Sequence, residues 1–154
     1  VLNLPSIDES IKSDAHVFIA RSALRLERRD VAQQAYEKVE EFARGKRKAE
    51  ALYYKAKFRN EAGSHKKSNQ VVQEITKNYS NYRKFSLQSL VLMADNFYRL
   101  DDAYQANYIL ENVIEKAGEF PEVQQEAKGL LQEIKSEAAK TNSSVEAEEA
   151  QDEN

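Results

Sequence analysis

The stretch from Ala49 to Ser80, AEALYYKAKFRNEAGSHKKSNQVVQEITKNYS, constrains the fold of this chain most strongly. Its apolar residues recur three and four positions apart, which is the spacing of one face of a helix. Gly63 suits the left-handed C-terminal cap of a first helix, and Ser64 suits the N-cap of a second. The stretch therefore predicts a helical hairpin. Because one hairpin cannot bury its apolar face alone, we expect similar hairpins beside it.

Pairs of small residues that lie twelve positions apart mark the neighbouring hairpins. The three pairs are Ala23 with Ala35, Ala56 with Ser68, and Ala94 with Ala106. A large residue precedes each first member by four positions, namely Ile19, Leu52 and Leu90. Small residues at fixed points let two helices approach closely, while large neighbours fill the space beside them. The pattern predicts three hairpins, offset by 33 residues from the first to the second and by 38 from the second to the third.

The order of these patterns predicts one all-α domain over residues 13–140. We expect hairpins at about 13–45, 46–80 and 84–118, and a capping helix at about 122–139. Residues 1–12 are interpreted as a partly ordered start that could end a preceding repeat. Because the chain starts at Val1 rather than at methionine, we expect it to be the C-terminal part of a longer array.

Composition supports this fold class and excludes others. The chain has four glycines and two prolines, too few for an all-β protein, and no cysteine, which excludes disulfides and thiol chemistry. No window holds the run of about 18 apolar residues that a membrane span needs. From Thr141 to Asn154 there are five acids, no base and one large aliphatic residue, so we expect an acidic, disordered tail over 141–154.

The third hairpin carries the clearest family pattern, which consists of Leu90, Ala94, Phe97 and Ala106. Its turn reads LDDAYQA from Leu100 to Ala106. On these residues the chain resembles the tetratricopeptide repeat family, over roughly residues 13–140. The resemblance implies a right-handed superhelix of three antiparallel hairpins plus a C-terminal capping helix, and a non-enzymatic protein–protein interaction scaffold. The chain departs from the family pattern at Arg59, which occupies an aromatic position, and at Ser80, where the family usually has proline.

Two longer stretches, QEITKNYSNYRKFSLQSLVLMADNFY and ILENVIEKAGEFPEVQQEAKGLLQEI, resemble the repeats of bacterial cell-envelope proteins. In those proteins a helix ends in a tyrosine-containing link and a long helix follows, as in outer-membrane-assembly lipoproteins and proteins of the cell-division-coordinator type. This narrower resemblance implies a scaffold in the bacterial periplasm or associated with the outer membrane.

In the tetratricopeptide repeat family, the first helix of each hairpin lines a concave groove that binds peptides. The resemblance carries this role to seven residues: Arg21, Glu50, Tyr53, Lys57, Asn60, Asp95 and Tyr98. Aromatic and charged side chains together suit peptide recognition. The alternative is that the tyrosines pack against a neighbouring hairpin with their hydroxyls in water. The two interpretations are equally open for Tyr53, and packing is favoured for Tyr54.

Catalytic and metal chemistry find no support in the sequence. His16 and His65 fall in different hairpins. Ser13, Asp14 and His16 are neighbours at one helix start, and such neighbours do not form a triad by themselves. No glycine-rich phosphate loop and no metal-ligand spacing is present. We therefore expect no enzyme activity, no catalytic, metal or cofactor-binding residues, and no cofactor.

The partner is expected to be a protein or a peptide. The basic run Arg44 to Lys48, RGKRK, is better interpreted as a solvated helix start and link than as a site for nucleic acid or anionic lipid, because the part before the tail is nearly neutral and no aromatic stacking motif accompanies the run. A basic patch for an acidic protein partner stays open. Two other functions stay open: a structural segment of a longer repeat protein with no binding site of its own, and self-association through exposed hairpin ends. An exposed apolar face on the first helix would favour the structural segment.

Overall fold

The protein is all-α. A computed structural model describes the backbone of residues 8–152 and the side chains of residues 8–140, and this part of the chain contains seven helices and no strand. The helices are α1 (Glu9–Arg25), α2 (Arg29–Phe42), α3 (Gly45–Glu61), α4 (His65–Asn78), α5 (Arg83–Arg99), α6 (Ala103–Lys116) and α7 (Pro121–Asp152). No helix among the described residues combines the length and apolarity that crossing a bilayer requires.

Three hairpins of the same dimensions follow one another. In each, a helix of 17 residues is joined to a helix of 14 residues. Each turn contains one residue in the left-handed region: Glu27 (φ 56°), Gly63 (φ 72°) and Asp101 (φ 62°). The predicted glycine cap at Gly63 is therefore present, and an acidic residue adopts the same conformation in the other two turns. At Asp102 the side chain accepts a hydrogen bond from the Gln105 backbone N–H and caps α6.

The repeat register of the first hairpin differs from the prediction. The left-handed residues Glu27 and Gly63 are 36 positions apart, not 33, whereas the second offset is 38 as expected. The small residues that correspond to Ala56 and Ser68 are thus Ala20 and Ala32, not Ala23 and Ala35. The helices hold two alanine pairs with the same spacing, so spacing alone could not choose between them. The corresponding first-helix residues Ala20, Ala56 and Ala94 are fully buried, as are the second-helix residues Ala32, Ser68 and Ala106.

The predicted boundaries are close except at the two ends. α1 begins at Glu9 rather than near residue 13, because the Asp8 carboxylate accepts the Ser10 backbone N–H and caps the helix there. Residues 1–7 of the predicted partly ordered start lie outside the described residues. α7 continues to Asp152, past the expected end near 139 and into the segment whose composition predicts disorder. That segment has one large aliphatic residue, Val145, but four of its residues are glutamate and two are alanine, which are strong helix formers.

Consecutive helices pack on one another throughout the chain. Besides the pairs within each hairpin, α2 packs on α3, α4 on α5 and α6 on α7. The longer helices also contact each other, α3 with α5 and α5 with α7. Three core clusters result, one for each hairpin and the helix that follows it, centred on Tyr36, Val72 and Leu110. This arrangement brings side chains from α1, α3, α5 and α7 to one side of the molecule.

Candidate functional site: the first-helix groove

An open groove of about 850 Å³ lies across α1, α3, α5 and α7, and we call it the first-helix groove. Five aromatic residues line it: Tyr53, Tyr54, Tyr82, Phe85 and Phe120. Five cations line it as well: Arg21, Lys46, Lys57, Arg83 and Lys84. Glu50 and Glu126 are its two acids. The groove therefore combines aromatic surface with an excess of positive charge.

The aromatic floor of the groove is built on Tyr53. Its ring lies edge-on to Tyr54, with 5.1 Å between the ring centroids, and 6.2 Å from the ring of Phe85. Tyr53 is only 8% exposed, and this burial raises the pKa of its hydroxyl. Of the two interpretations left open for Tyr53, the burial of its ring favours packing, because α5 packs against α3 at this level. Tyr54 packs as favoured, with its ring stacked 4.4 Å from that of Tyr36.

Glu50 is held inside the protein by two partners. Arg21 donates to its carboxylate through Nε (2.8 Å) and Nη2 (2.6 Å), and the Tyr36 hydroxyl donates to Oε1 (3.0 Å). These bonds to Glu50 raise the pKa of the Arg21 guanidinium. Glu50 is 3% exposed, so its carboxylate cannot meet a ligand without breaking this cluster. The half of the Arg21 side chain that stays in solvent remains accessible at the groove wall.

The cations of the groove divide into paired and unpaired ones. Arg83 pairs with Glu119 (3.5 Å) and Lys84 with Glu122 (2.5 Å) on the α7 side. Lys46 and Lys57 form no ion pair with any residue between 8 and 140.

Across the groove from these lysines, burial raises the pKa of Glu126. The charge of Lys57 acts on that pKa in the opposite direction. A negatively charged ligand would thus meet two available ammonium groups beside an aromatic floor.

Of the seven residues predicted for a binding surface, Arg21, Glu50, Tyr53 and Lys57 line the groove and three do not. Asn60 and Asp95 bond to each other further along α3 and α5, at 2.6 Å between Asn60 Nδ2 and Asp95 Oδ2. Tyr98 is half-buried against the third core cluster.

Asn60 also belongs to a buried polar network that the sequence did not reveal. Asn96 is fully buried, and its Oδ1 accepts from Asn60 Nδ2 at 2.9 Å. Its own Nδ2 donates to Ser68 Oγ (2.9 Å) and Asn69 Oδ1 (2.8 Å) on α4. Because both polar atoms of the Asn96 amide have partners, the network fixes α5 on α4 and the Asn96 amide is not free for a ligand.

Several groove residues come from links that the sequence indicated only faintly. Tyr82 lies in the tyrosine-containing link after α4, and Arg83 begins α5. Lys46 lies in the first turn of α3, within the basic run interpreted from the sequence as a solvated helix start and link. Gly45 explains how these links meet. It has φ 58°, and a Cβ built on it would lie 2.7 Å from the Tyr82 hydroxyl oxygen, so only glycine allows Tyr82 to close over the start of α3.

Within the described part of the chain, no group of three or more His, Cys, Asp or Glu side chains is placed to hold a metal ion. His65 contacts Asn96 Oδ1 at 3.1 Å and belongs to the buried network described above.

Comparisons with protein-family models, with curated proteins and with solved structures find no match to this chain.

Proposed function

We propose that this protein is a scaffold of the tetratricopeptide repeat kind that binds an extended, acidic segment of a partner protein in the first-helix groove. The observation that carries the proposal is the lining of the groove, in which five cations and five aromatic residues face only two acids. Such a surface provides both anchors for apolar side chains and charges for acidic ones.

The repeat architecture supports the family part of the proposal. Three hairpins with equal helix lengths stack in sequence, and their first helices share one side of the molecule. The offsets of 36 and 38 residues between corresponding turns exceed the family period of about 34. The excess lies in the helices and links rather than in the hairpin turns, which keep one left-handed residue each.

The charge of the groove supports an acidic ligand. Glu50 is already neutralised by Arg21, and Arg83 and Lys84 pair at the rim, whereas Lys46 and Lys57 have no ion-pair partner among residues 8–140. A peptide carboxylate that meets these two lysines gains an interaction without breaking an existing pair. Opposite charges of this kind mainly set specificity and association rate, and they weaken as salt is added.

The test is an array of extended peptides whose net charge is varied around a fixed aromatic core. The parent chain should bind acidic peptides and lose them in the double variant Lys46→Glu/Lys57→Glu, with a loss of at least about tenfold at low salt. The matched control is Lys66→Glu/Lys67→Glu, which makes the same charge change at two exposed positions of α4 outside the groove. The proposal would be overturned if affinity did not depend on peptide charge, or if the two double variants lost affinity equally.

A structural segment without a ligand of its own is the second candidate. It is favoured by the exposed apolar side chains on α1, among them Ile11 and Phe18, and by the burial of Glu50 and Tyr53 within the protein's own contacts. This function predicts that no peptide on the array binds above background. The groove proposal predicts that affinity increases as the peptides become more acidic.

A further inference from the structure

One face of the first helix in each hairpin, and of α7, has a small residue followed three positions later by a large apolar or aromatic residue, and we call it the stacking face. The offsets of 36, 38 and 38 residues between helix starts define the correspondence. The four sets are Ile11, Ala15, Phe18 and Ser22 on α1; Arg47, Ala51, Tyr54 and Phe58 on α3; Phe85, Ser89, Leu92 and Asn96 on α5; and Val123, Ala127, Leu130 and Ile134 on α7. The second member is alanine or serine in every set.

On α3, α5 and α7 the second helix of the preceding hairpin packs against this face. The first member of the set contacts the preceding first helix on α3, where Arg47 pairs with Asp14, and on α5, where the Phe85 ring lies 6.2 Å from that of Tyr53. Tyr54 stacks on Tyr36 of α2, and Asn96 bonds to Ser68 and Asn69 of α4. The α7 set belongs to the core cluster around Leu110 of α6.

The small second member is fully buried in all three covered helices, where it lets the two backbones approach. The stacking face is thus the surface by which each hairpin receives the one before it.

On α1 the stacking face is open. Ile11 is 60% exposed and Phe18 74%, and the apolar stripe continues through Ile19 and Leu26, which is 69% exposed. The opposite side of the same helix carries Val17 and Ala20, which are buried against α2. Of the six large apolar side chains that are exposed among the described residues, three therefore lie on one side of α1 and a fourth, Leu26, directly follows it. Apolar stripes of this kind mark interaction sites.

We propose that the stacking face of α1 is a docking surface for the second helix of a further helical hairpin, joined on the N-terminal side of α1 as α2 is joined to α3. Three occupied copies of the same face in this chain show what such a surface receives. The chemistry of the occupant follows from them: an amphipathic helix with a large aromatic or aliphatic residue over the small one at Ala15, and next to Phe18. This inference does not depend on the groove binding a peptide.

A basic residue beside the face supports the same occupant. Lys48 of α3 donates to the backbone carbonyl of Glu40 at 2.5 Å, near the C-terminal end of α2. Lys12 holds the corresponding position on α1, 36 residues earlier. A cation near the last carbonyls of a docked helix stabilises it through its dipole. The Lys12 ammonium lies 5.7 Å from the centroid of the Phe42 ring of α2, and it would have to leave that ring to serve an incoming second helix as Lys48 serves α2.

The experiment supplies such a hairpin from the chain itself. In a tandem chain, residues 1–45 are followed directly by residues 10–154, so that Gly45 of the first part stands in place of Glu9 of the second. The chain then has two copies of α1: the outer copy is the first in the chain, and the inner copy is the second and is preceded by a copy of α2. The protein has no tryptophan. A Phe18→Trp substitution in the inner copy is therefore the only indole emitter, and the same substitution in the outer copy is its matched control within an identical chain.

The expected result is a blue-shifted emission and a several-fold lower quenching by acrylamide for the inner tryptophan than for the outer one. A second measurement uses Phe18→Glu, which should lower the melting temperature at the inner position and leave it unchanged at the outer position. Equal behaviour of the two positions in both measurements would overturn the proposal. A dimer of the 154-residue chain would also overturn the proposal, because the occupant would then be a second copy. In that case the indole of the Phe18→Trp variant would become more buried as the protein concentration rises, and sedimentation would show a dimer.

Discussion

Replacing Arg21 should destabilise the fold more than neutralising its partner Glu50, because only one of the two side chains reaches water. The Arg21 side chain is 55% exposed and that of Glu50 is 4% exposed. In the variant Arg21→Met the buried carboxylate keeps a single neutral donor, the Tyr36 hydroxyl. In Glu50→Gln the guanidinium is left at the surface, where water replaces the lost bonds.

The burial of each partner sets the size of the effect. Removing one partner of a buried ion pair costs about 3–5 kcal/mol when the other charge stays buried and uncompensated. Because Arg21 is more than half exposed, part of its charge is screened, and we reduce the expected loss in Arg21→Met to about 2–3 kcal/mol. For Glu50→Gln we expect about 0–1 kcal/mol, since the amide oxygen still accepts from Tyr36.

The assay is urea unfolding followed by circular dichroism, with melting temperatures as a check. A loss of about 2–3 kcal/mol corresponds to a fall of about 5–10 °C for a domain of this size. The double variant Arg21→Met/Glu50→Gln should recover much of the loss, because the unpaired buried charge is gone. Lys135→Met is the control, since its pair with Glu111 is more than half exposed on both sides and should be worth less than about 0.5 kcal/mol.

Two results would refute this reasoning. If Arg21→Met is no more destabilising than Lys135→Met, the carboxylate of Glu50 does not depend on its partner. If the double variant is as unstable as Arg21→Met alone, the loss comes from the packing of the arginine stem rather than from an unpaired charge. If Arg21→Met loses stability and the double variant recovers it, the pair of Arg21 and Glu50 has a structural role in the groove wall. Variants that test ligand binding should then be made at Lys46 and Lys57.

Two further predictions concern the core and the tail. Ala56→Leu and Ala94→Leu should each lower stability by about 1–3 kcal/mol through overpacking, because both alanines are fully buried between helices; unchanged thermal melts would contradict the register. Deleting residues 141–154 should leave the melting temperature nearly constant, because the core clusters of the described side chains end at Ile134, and limited proteolysis should cut this segment first; a large fall in melting temperature would show that the tail docks.

The hairpins were predictable because their signals are local. The turn at Gly63 and the LDDAYQA turn appear where expected, and Asp102 caps α6. Ser64 stands at the N-cap position of α4, but its side chain makes no cap hydrogen bond. The first hairpin was misregistered because its turn has no glycine. Glu27 adopts the left-handed conformation instead, and nothing in the letters LERRD distinguishes it from its neighbours. The first hairpin has two alanine pairs with equal spacing, Ala20 with Ala32 and Ala23 with Ala35. The choice between them therefore depended on an assumed repeat length.

The groove was predictable only in part, because its lining is assembled by contacts between distant helices. Arg21 and Lys57 were named because the resemblance to the tetratricopeptide repeat family implies a groove role for them. Phe120 and Lys46 come from helix ends whose positions depend on how the hairpins stack. Tyr53 is a second example. The periodicity of α3 left open whether its side chain binds a ligand or packs, and Phe85 of the next hairpin packs against its ring. Long-range packing of this kind is not encoded in the periodicity of one helix.

The groove and the stacking face meet on α1, and this geometry links the two proposals. Arg21 lines the groove at the α1 end, whereas Phe18, on the stacking face of the same helix, is open to solvent. A hairpin docked on Phe18 would bring its own first helix beside α1, as α5 lies beside α3. The groove would then continue past Arg21 by the width of one helix, about 8–10 Å, which is room for two or three more extended residues of a ligand. The tandem chain should therefore bind a longer acidic peptide more tightly than the 154-residue chain does, while short peptides that reach only Lys46 and Lys57 should bind the two equally.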